Sequence, residues 1–159
     1  MIHATAQLQL RQVQENDALF LWHLANDPQV RSASFSTAAI SWEDHIKWLS
    51  DRLNDPSCKF FIAMLGNTPI GQVRFDITGE EATISISIHK VYRKRGFGSA
   101  IIGLSTKEIL NSTNLRSIHS YVKIDNESSI LAFKNANFRN LGLVDVKGNK
   151  SFHLMRKRN

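Results

Sequence analysis

The stretch from Ile84 to Ile102 constrains the fold of this chain more than any other segment. Its first part alternates isoleucine at 84, 86 and 88 with serine at 85 and 87, which predicts a strand with one buried face. A basic, glycine-containing run follows, Arg93-Lys94-Arg95-Gly96-Phe97-Gly98-Ser99. Apolar residues then recur at helical spacing up to Leu110. The predicted order is therefore strand, basic glycine loop, helix.

This loop has the chemistry of a phosphate site. The start of a helix exposes unpaired N–H groups and carries a partial positive charge, so it can hold phosphate. Gly96 and Gly98 have no Cβ, which lets a ligand approach the backbone closely, and the three cationic side chains at 93–95 add charge. The spacing excludes both a P-loop and a dinucleotide fingerprint. We predict that residues 93–99 bind a pyrophosphate.

Length and composition bound the class of protein. At 159 residues the chain can bury its own core, and we expect one domain over residues 1–159. No apolar run approaches the roughly 18–20 residues of a membrane span and the N-terminus lacks a signal-peptide core, so we expect a cytoplasmic protein with no membrane partner. The single cysteine, Cys58, excludes an intrachain disulfide and a multi-cysteine metal site, and we expect no metal.

The net charge of +6 raises the question of nucleic-acid binding. The positive residues scatter along the chain and concentrate only at 93–95 and 156–158. A nucleic-acid module more often shows a basic stripe with interleaved aromatic residues. We therefore expect no nucleic-acid partner.

Periodicity along the whole chain predicts the order β-α-α-β-β-β-α-β-α-β-β. This order indicates an α/β (α+β) fold, in which helices pack on both faces of a mixed, mostly antiparallel sheet. The predicted strands cover 6–13, 59–65, 70–77, 84–88, 116–122, 138–146 and 151–155. The predicted helices cover 17–26, 41–54, 99–111 and 125–137, and Pro28 stops or restarts the first of them. Residues 32–39 have no clear period and are predicted as loop.

Two motifs resemble those of the GNAT superfamily of N-acetyltransferases. Arg93-x-x-Gly96-x-Gly98 resembles the Arg/Gln-x-x-Gly-x-Gly/Ala loop that in this family binds the pyrophosphate of acetyl-coenzyme A. A second motif, Asn126-x-x-Ser129-x-x-x-Phe133-x-x-x-Asn137-Phe138, resembles the family's Asn-x-x-Ser/Ala-x-x-x-Tyr/Phe-x-x-x-Gly-Phe. The predicted element order is also the GNAT order from about residue 5 to 155. The resemblance therefore covers nearly the whole chain and implies a GNAT-type fold that uses acetyl-coenzyme A.

The resemblance also implies how the coenzyme lies. In the family two strands splay apart, and the pantetheine arm lies between them. By position, backbone groups of Ile86 and Ile88 would meet the arm and Asn126 would hydrogen-bond it, with Ser129 and Phe133 in the same implied coenzyme site. The acceptor amine would attack the thioester directly, with the carbonyl held by the N–H of Ile88 or a neighbour.

The proton donor and the base are open at this stage. Phe133 stands where many relatives have a tyrosine that protonates the thiolate, and phenylalanine cannot donate a proton. Tyr121 is our first candidate for a replacement, with water, no donor at all, or a purely structural Tyr121 as alternatives. Thr83 stands where many relatives have a glutamate. Glu81 shares its strand face and is the first candidate base; the others are Asp76, Glu43, Asp44 and His45.

The required base strength depends on the acceptor. Deprotonating an amine of pKa about 10.4 at pH 7 costs roughly 4.6 kcal/mol, whereas an amine near pKa 8 costs about 1.4 kcal/mol. A chain without an obvious base suits the weaker amine.

The N-terminal helical region resembles acetyltransferases that modify amino-deoxysugar nucleotides in the biosynthesis of pseudaminic- and legionaminic-type nonulosonic acids. This resemblance implies a small-molecule amine acceptor, with contacts expected from Asn26, Arg31, Phe35, His45, Arg74 and Asp76. The alternatives are a protein or ribosomal N-terminal acetyltransferase and a non-catalytic module that binds acetyl-coenzyme A. Exposed strand edges over 151–155 would permit a homodimer, which the sequence does not decide.

Overall fold

The computed structural model describes residues 8–159, so the start of the first predicted strand, residues 6–7, lies outside the described residues. Its strands are β1 (Leu8–Gln12), β2 (Cys58–Leu65), β3 (Thr68–Thr78), β4 (Glu81–Ile88), β5 (Ser117–Lys123), β6 (Arg139–Val146) and β7 (Asn149–Lys157). Its helices are α1 (Ala18–Ala25), α2 (Pro28–Ala33), α3 (Trp42–Leu53), α4 (Phe97–Ser112) and α5 (Glu127–Asn135). Within this part of the chain no helix is long and apolar enough to span a bilayer.

The strands form one seven-stranded sheet in the order β1-β2-β3-β4-β5-β7-β6. Neighbouring strands are antiparallel except β4 and β5, which are parallel. The predicted mixed, mostly antiparallel sheet is therefore confirmed. The parallel pair requires a crossover connection, which α4 provides.

The helices cover both faces of the sheet, as predicted. The larger core lies between the sheet and α4 and α5, where Phe75, Ile101 and Ile118 are fully buried. A smaller core packs Leu21 of α1 and Leu49 of α3 against the opposite face of β2. Because side chains alternate along a strand, the apolar residues of β4 face the first core and its polar residues face the side of α1 and α3.

The chain restarts a helix at Pro28 instead of stopping. Asp27 is the N-cap of α2, its carboxylate accepting from the backbone N–H groups of Gln29 and Val30, and Pro28 occupies the first helical turn. This helix includes Ser32 and Ala33, which the sequence pattern assigns to loop. The signal was present in the sequence, since Asp followed by Pro is typical of a helix start as well as of a helix end.

Other local predictions hold. The Ser41 hydroxyl accepts from the Asp44 N–H at 3.1 Å and caps α3, and Asn137 follows α5 in the left-handed conformation with φ of 70°. The helix after the glycine loop begins at Phe97, two residues earlier than predicted, because Gly96 adopts φ of 81° at its N-cap. The apolar stripe predicted for α3 is only partly buried, since Trp42 and Trp48 remain 40% and 37% exposed.

Candidate functional site

The two parallel strands separate along their length. β4 and β5 pair only from Glu81–Thr83 to Ser117–His119, and beyond these residues they diverge. This is the splay that the family resemblance implies. The divergence opens a cleft of about 1510 Å³ between the strands, which exceeds the roughly 300–1,000 Å³ of a small-ligand pocket. The cleft therefore has room for two substrates side by side.

Backbone groups of β4 face this opening. The His89 N–H donates to the Ile70 carbonyl at 2.8 Å, which fixes the alternation of the β3–β4 ladder. In an antiparallel ladder successive residues point to opposite sides, so the backbone groups of Ile88 and Ile86 point away from β3 and toward the opening. The structure thus places the two predicted arm-binding residues at the splay.

The glycine loop presents the features of an anion site. Gly96 caps α4 without any side-chain hydrogen bond, so the first N–H groups of this 16-residue helix are free of a side-chain cap. A Cβ on Gly98 would lie 3.4 Å from Ala132 Cβ and 3.5 Å from Ile88 Cδ1, at the wall of the cleft. Exposed Lys94 also lines the cleft. Free donors, close backbone access and positive charge fit a pyrophosphate.

The other predicted coenzyme residues occupy different positions relative to the cleft. Ser99, Asn126 and Ser129 line it, and the Asn126 side-chain oxygen Oδ1 caps α5 by accepting from the Ser129 N–H at 3.3 Å. Phe97 is buried in the core, where it anchors the loop. Arg95 lies against this anchor, with its guanidinium 5.6 Å from the Phe97 ring centroid.

Phe133 lies at the boundary between the cleft and the core. Its ring is 2% exposed and packs edge-on against Phe138, with the two ring centroids 5.0 Å apart. It also lines the cleft. The ring therefore forms part of the cleft floor and carries no proton donor.

Arg93 is held by protein partners. Its Nε donates to the Ile88 carbonyl at 2.9 Å, Nη1 to the Gln29 side chain at 2.7 Å and Nη2 to the Asp27 carboxylate at 2.9 Å. Burial alone would raise the pKa of Asp27, but the hydrogen bonds from Arg93 and from the start of α2 outweigh it and lower that pKa. The sequence assigned Arg93 to the pyrophosphate, whereas the structure commits all three guanidinium nitrogens to other groups.

Glu81 does not reach the opening. It lies at the closed end of the splay, is absent from the residues that line the cleft, and comes within 3.6 Å of His119 Nε2. Seven residues of strand separate it from Ile88, a distance of about 23 Å. The sequence correctly put Glu81 and Thr83 on one face of the strand. Glu81, however, lies near the closed end of the splay and does not line the cleft.

Tyr121 does line the cleft. It lies on β5, and its ring stacks on His153 with centroids 4.7 Å apart. The His153 ring is in turn within hydrogen-bonding distance of His119, with 2.7 Å between Nε2 and Nδ1. Tyr121 is therefore a cleft-lining residue whose ring is held by stacking.

A polar strip on β3 and β4 was not predicted as part of the site. Gln72, Thr83, Ser85 and Ser87 line the cleft on the side of α1 and α3. The Gln72 amide donates to the Ser87 hydroxyl at 3.1 Å. The serine alternation of β4 indicated a polar face, but only the structure shows that this face borders the cleft.

The N-terminal residues predicted to contact the acceptor divide into two groups. Phe35 and Arg31 line the cleft, although the Arg31 guanidinium donates to the carbonyls of Ala25, Ser36 and Ala38 and so shapes the loop after α2. Asn26 is not among the residues that line the cleft. Its side chain pairs with the backbone N–H and carbonyl of Ile40, at 2.8 and 3.0 Å, and fixes the same loop.

Asp76 and Arg74 form a compensated charge group in the cleft wall. The Asp76 carboxylate accepts from Arg74 at 3.1 Å and from Arg52 at 3.4 Å, so two arginines surround one acid. The Arg74 guanidinium also lies over Trp48, 5.1 Å from the ring centroid. Nearby Cys58 has its pKa raised to about 11, by burial first and then by Asp76, so the thiol is neutral and is not a nucleophile.

His45 lines the cleft but is almost fully enclosed. It is 2% exposed and lies between the rings of Trp42 and Trp48, each 6.0 Å away. Its Nε2 donates to the Ala18 carbonyl at 2.9 Å, so in the neutral ring Nδ1 carries no proton. Burial lowers the pKa of His45, and the hydrogen bond to Ala18 offsets only part of this lowering.

We expect the lowered pKa of His45 to make the fold less stable in acid. The unfolded chain binds a proton near pH 6.5 while the folded chain resists it, so the free energy of unfolding falls as the pH drops below about 6.5, by at most about 1.4 kcal/mol per pH unit. Urea denaturation between pH 7.5 and 5.5 should show this loss, and His45→Gln should reduce its slope. Burial and the neighbouring His119 also lower the pKa of His153, so part of the slope should remain in this variant. An unchanged slope in the variant would contradict the role of His45.

The charge of the cleft is positive overall. The basic residues that line it are Arg31, Arg74, Lys90, Arg93, Lys94 and Lys147, whereas the acidic ones are Asp44 and Asp76. Since Asp76 is already compensated by two arginines, Asp44 is the one acid lining the described cleft that has no arginine partner. The cleft is suited to anionic ligands.

Comparisons with known proteins agree with this geometry. The family model described as acetyltransferase (GNAT) domain matches residues 7–139. The structure of AAC(6')-Ib in complex with ribostamycin and coenzyme A superposes with a TM-score of 0.85 at 18% identity, over 96% of this chain and 94% of that chain. Spermidine N-acetyltransferase from Vibrio cholerae, in complex with CoA and spermine, gives 0.84 at 19% identity, over 96% of both chains. No curated protein matches the chain significantly in sequence. At these identities the structural likeness establishes the fold.

Proposed function

Because the chain belongs to the acetyltransferase (GNAT) family, whose cosubstrate is acetyl-coenzyme A, we propose that it acetylates the primary amine of a small metabolite. The observation that carries this proposal is the continuous cleft, which joins the glycine loop at one end to the polar face of β3 and β4 at the other. The similar solved structures include complexes with ribostamycin and with spermine, both small molecules that carry amines. Their presence in this fold supports a small amine acceptor.

Acetyl-coenzyme A supplies an acetyl thioester, which the amine attacks directly. In this proposal the free N–H groups at the start of α4, together with Lys94, hold the pyrophosphate. The backbone N–H of Ile88, which faces the opening, donates to the thioester carbonyl oxygen and stabilises the charge that develops there. Cys58, a neutral thiol, forms no acyl-enzyme.

We assign the proton donor for the leaving thiolate to Tyr121. This residue lines the cleft on β5, the strand opposite Ile88 across the splay, and its ring is fixed by stacking on His153. Phe133, at the usual position of the donor, has no hydroxyl. General acid catalysis by a positioned group typically contributes 10²- to 10⁴-fold to the rate, so the assignment is open to kinetic test.

The base is the weakest part of the site, and this restricts the acceptor. Glu81 is remote, Asp76 is paired with arginines, His45 is enclosed by two tryptophans, and Asp44 is exposed to solvent on α3. The remaining groups beside β4 are the hydroxyls of Thr83, Ser85 and Ser87, which can hold water but have little basicity. We infer that the acceptor amine has a pKa near 8, because freeing it at pH 7 costs about 1.4 kcal/mol and needs no strong base.

The charge of the cleft further restricts the acceptor. A polycation such as spermine would need acidic partners, and the described cleft offers one uncompensated acid, Asp44. An amine that also carries phosphate would instead meet Arg74, which donates to Asp76 through Nε. An amino-deoxysugar nucleotide combines phosphates, an aromatic base and a sugar amine, so it is our preferred acceptor, with Phe35 and Trp48 as aromatic surfaces in the cleft.

A panel of amines tests this proposal. We would follow release of free thiol from acetyl-coenzyme A with 4-amino-deoxysugar nucleotides, polyamines, aminoglycosides, amino acids and short peptides. Turnover confined to the sugar nucleotides is the expected result. Turnover with peptides alone would indicate an N-terminal acetyltransferase, and turnover only with polyamines or aminoglycosides would refute the charge argument. Coenzyme binding without turnover on any amine would indicate a binding module.

Replacing Phe133 by tyrosine tests whether a proton donor is missing from the usual position. The ring already forms part of the cleft floor, so a para hydroxyl can reach the cleft without a change of fold. We expect kcat to be preserved or raised, and the loss of rate in Tyr121→Phe to be at least partly restored in the double variant. A clear fall in kcat for Phe133→Tyr alone, with an unchanged circular dichroism spectrum, would show that the added hydroxyl disturbs the packing or the acceptor.

A further inference from the structure

Helix α2 connects the two strands of the splay. At its start, Asp27 and Gln29 accept hydrogen bonds from Arg93, five residues after the end of β4. Near its end, the Ser32 carbonyl accepts from Lys123 Nζ at 3.0 Å, and Lys123 is the last residue of β5. The helix is therefore anchored to one strand at each end, on the side where the strands are apart.

Polar contacts position this helix, because apolar packing contributes little. No residue of α2 is buried. A six-residue helix is also too short to be stable alone. Its place depends on the N-cap by Asp27, the hydrogen bonds of Arg93 and Lys123, and the bracing of the following loop by Arg31.

The helix also forms part of the cleft wall. Gln29, Val30, Arg31 and Ala33 line the cleft, and Phe35 follows directly after the helix. Arg93 links this wall to the coenzyme side, since the same guanidinium also binds the carbonyl of Ile88. One side chain of the glycine loop therefore contacts both the end of β4 and the wall formed by α2.

We propose that α2 is a bridging helix that spans the open end of the splay, and that Arg93 and Lys123 are positioning residues which couple the order of the acceptor wall to coenzyme binding. Arg93 serves here as a link between two substrate sites, in place of a phosphate ligand. The inference rests on the proposed function for the identity of the coenzyme, and it requires no knowledge of the acceptor. It also accounts for the use of Asp27 both as a helix cap and as an ion-pair partner.

Hydrogen–deuterium exchange measured by mass spectrometry, with coenzyme A as the probe, tests the proposal. In the wild-type protein coenzyme A should slow exchange in peptides over 94–100 and also over 28–34, by about tenfold or more in each. Lys123→Met removes one anchor and should speed exchange over 28–34 about tenfold without coenzyme. Lys123→Arg keeps a cationic donor and should restore slow exchange. Lys107→Met is the matched control, because Lys107 is an exposed lysine on α4 outside the cleft. This variant should leave the exchange rate over 28–34 unchanged.

Asp27→Asn tests the link through Arg93. Asparagine is as good an N-cap as aspartate, so α2 should still form, while the ion pair with Arg93 is reduced to a neutral hydrogen bond on the same side-chain oxygen. Coenzyme A should still protect 94–100 in this variant but should protect 28–34 less than in the wild type. If coenzyme A protects 94–100 in the wild type and leaves 28–34 unchanged, the coupling is refuted while the coenzyme assignment stands. If neither peptide responds, the coenzyme assignment itself fails.

Discussion

Gly98→Trp is expected to lower the affinity for coenzyme A at least a hundredfold. Gly98 lies in the first turn of α4, where a Cβ would be 3.4 Å from Ala132 and 3.5 Å from Ile88. One methyl group is tolerated there as an ordinary contact, but an indole ring has to project into the cleft where the backbone must approach the pyrophosphate. Isothermal titration calorimetry with coenzyme A measures the loss.

Gly98→Ala is the matched control for this substitution. The added methyl meets its neighbours at van der Waals distance, so we expect less than a tenfold loss of affinity and an unchanged fold. Circular dichroism should show that the tryptophan variant is folded as well. A folded Gly98→Trp protein that binds coenzyme A as the wild type does would overturn the assignment of the glycine loop.

The second large effect is expected at Gly71. This residue pairs with Ile88 across β3 and β4, and a Cβ there would lie 2.5 Å from the Ser87 carbonyl oxygen and 3.3 Å from Ile88 Cα. Both neighbours are backbone atoms, so the two strands must separate. We expect Gly71→Ala to lower the free energy of unfolding by about 3 kcal/mol, which is about 6–12 °C in Tm for a chain of this size.

The same substitution should also reduce catalysis beyond its effect on stability. Displacing β4 moves the Ile88 N–H that we assign to the thioester carbonyl, and a misplacement of about 1 Å can cost on the order of 10² in rate. We expect kcat to fall at least tenfold at a temperature where the variant is fully folded. Gly103→Ala is the control: no atom lies within 4 Å of its added Cβ, and alanine in a helix should stabilise by about 0.5–1 kcal/mol. A Gly71→Ala protein with wild-type Tm and kcat would contradict the close packing of these strands.

The charge of the cleft bears on which amine the protein accepts. The fold is shared with structures that hold spermine or ribostamycin, at 19% and 18% identity. The charged residues that line the described cleft are mainly basic, and the one acid without an arginine partner, Asp44, is exposed on α3. Membership of the acetyltransferase family therefore indicates the reaction, and our proposal for the amine rests on the charges of the cleft.

The sequence alone determined the order of the strands and of four of the five described helices, the alternating strand before the glycine loop, the loop itself and the caps at Ser41 and Asn137. These features depend on local periodicity and on residues a few positions apart, such as the isoleucine–serine alternation of β4 and the two glycines before α4. The glycine loop could be identified as a candidate phosphate site for the same reason, because a phosphate site at a helix start is built within one short segment.

Tertiary structure decided what depends on residues far apart in the chain. Arg93, which the sequence predicts to bind phosphate, has side-chain partners more than sixty residues earlier, at Asp27 and Gln29. Glu81 shares a strand face with Thr83 but lies at the closed end of the splay, and the intolerance of Gly71 to a side chain arises from the Ser87 carbonyl on the next strand. Periodicity specifies the face on which a side chain lies. The distance between two groups, and hence their chemistry, is set only when the strands and helices pack.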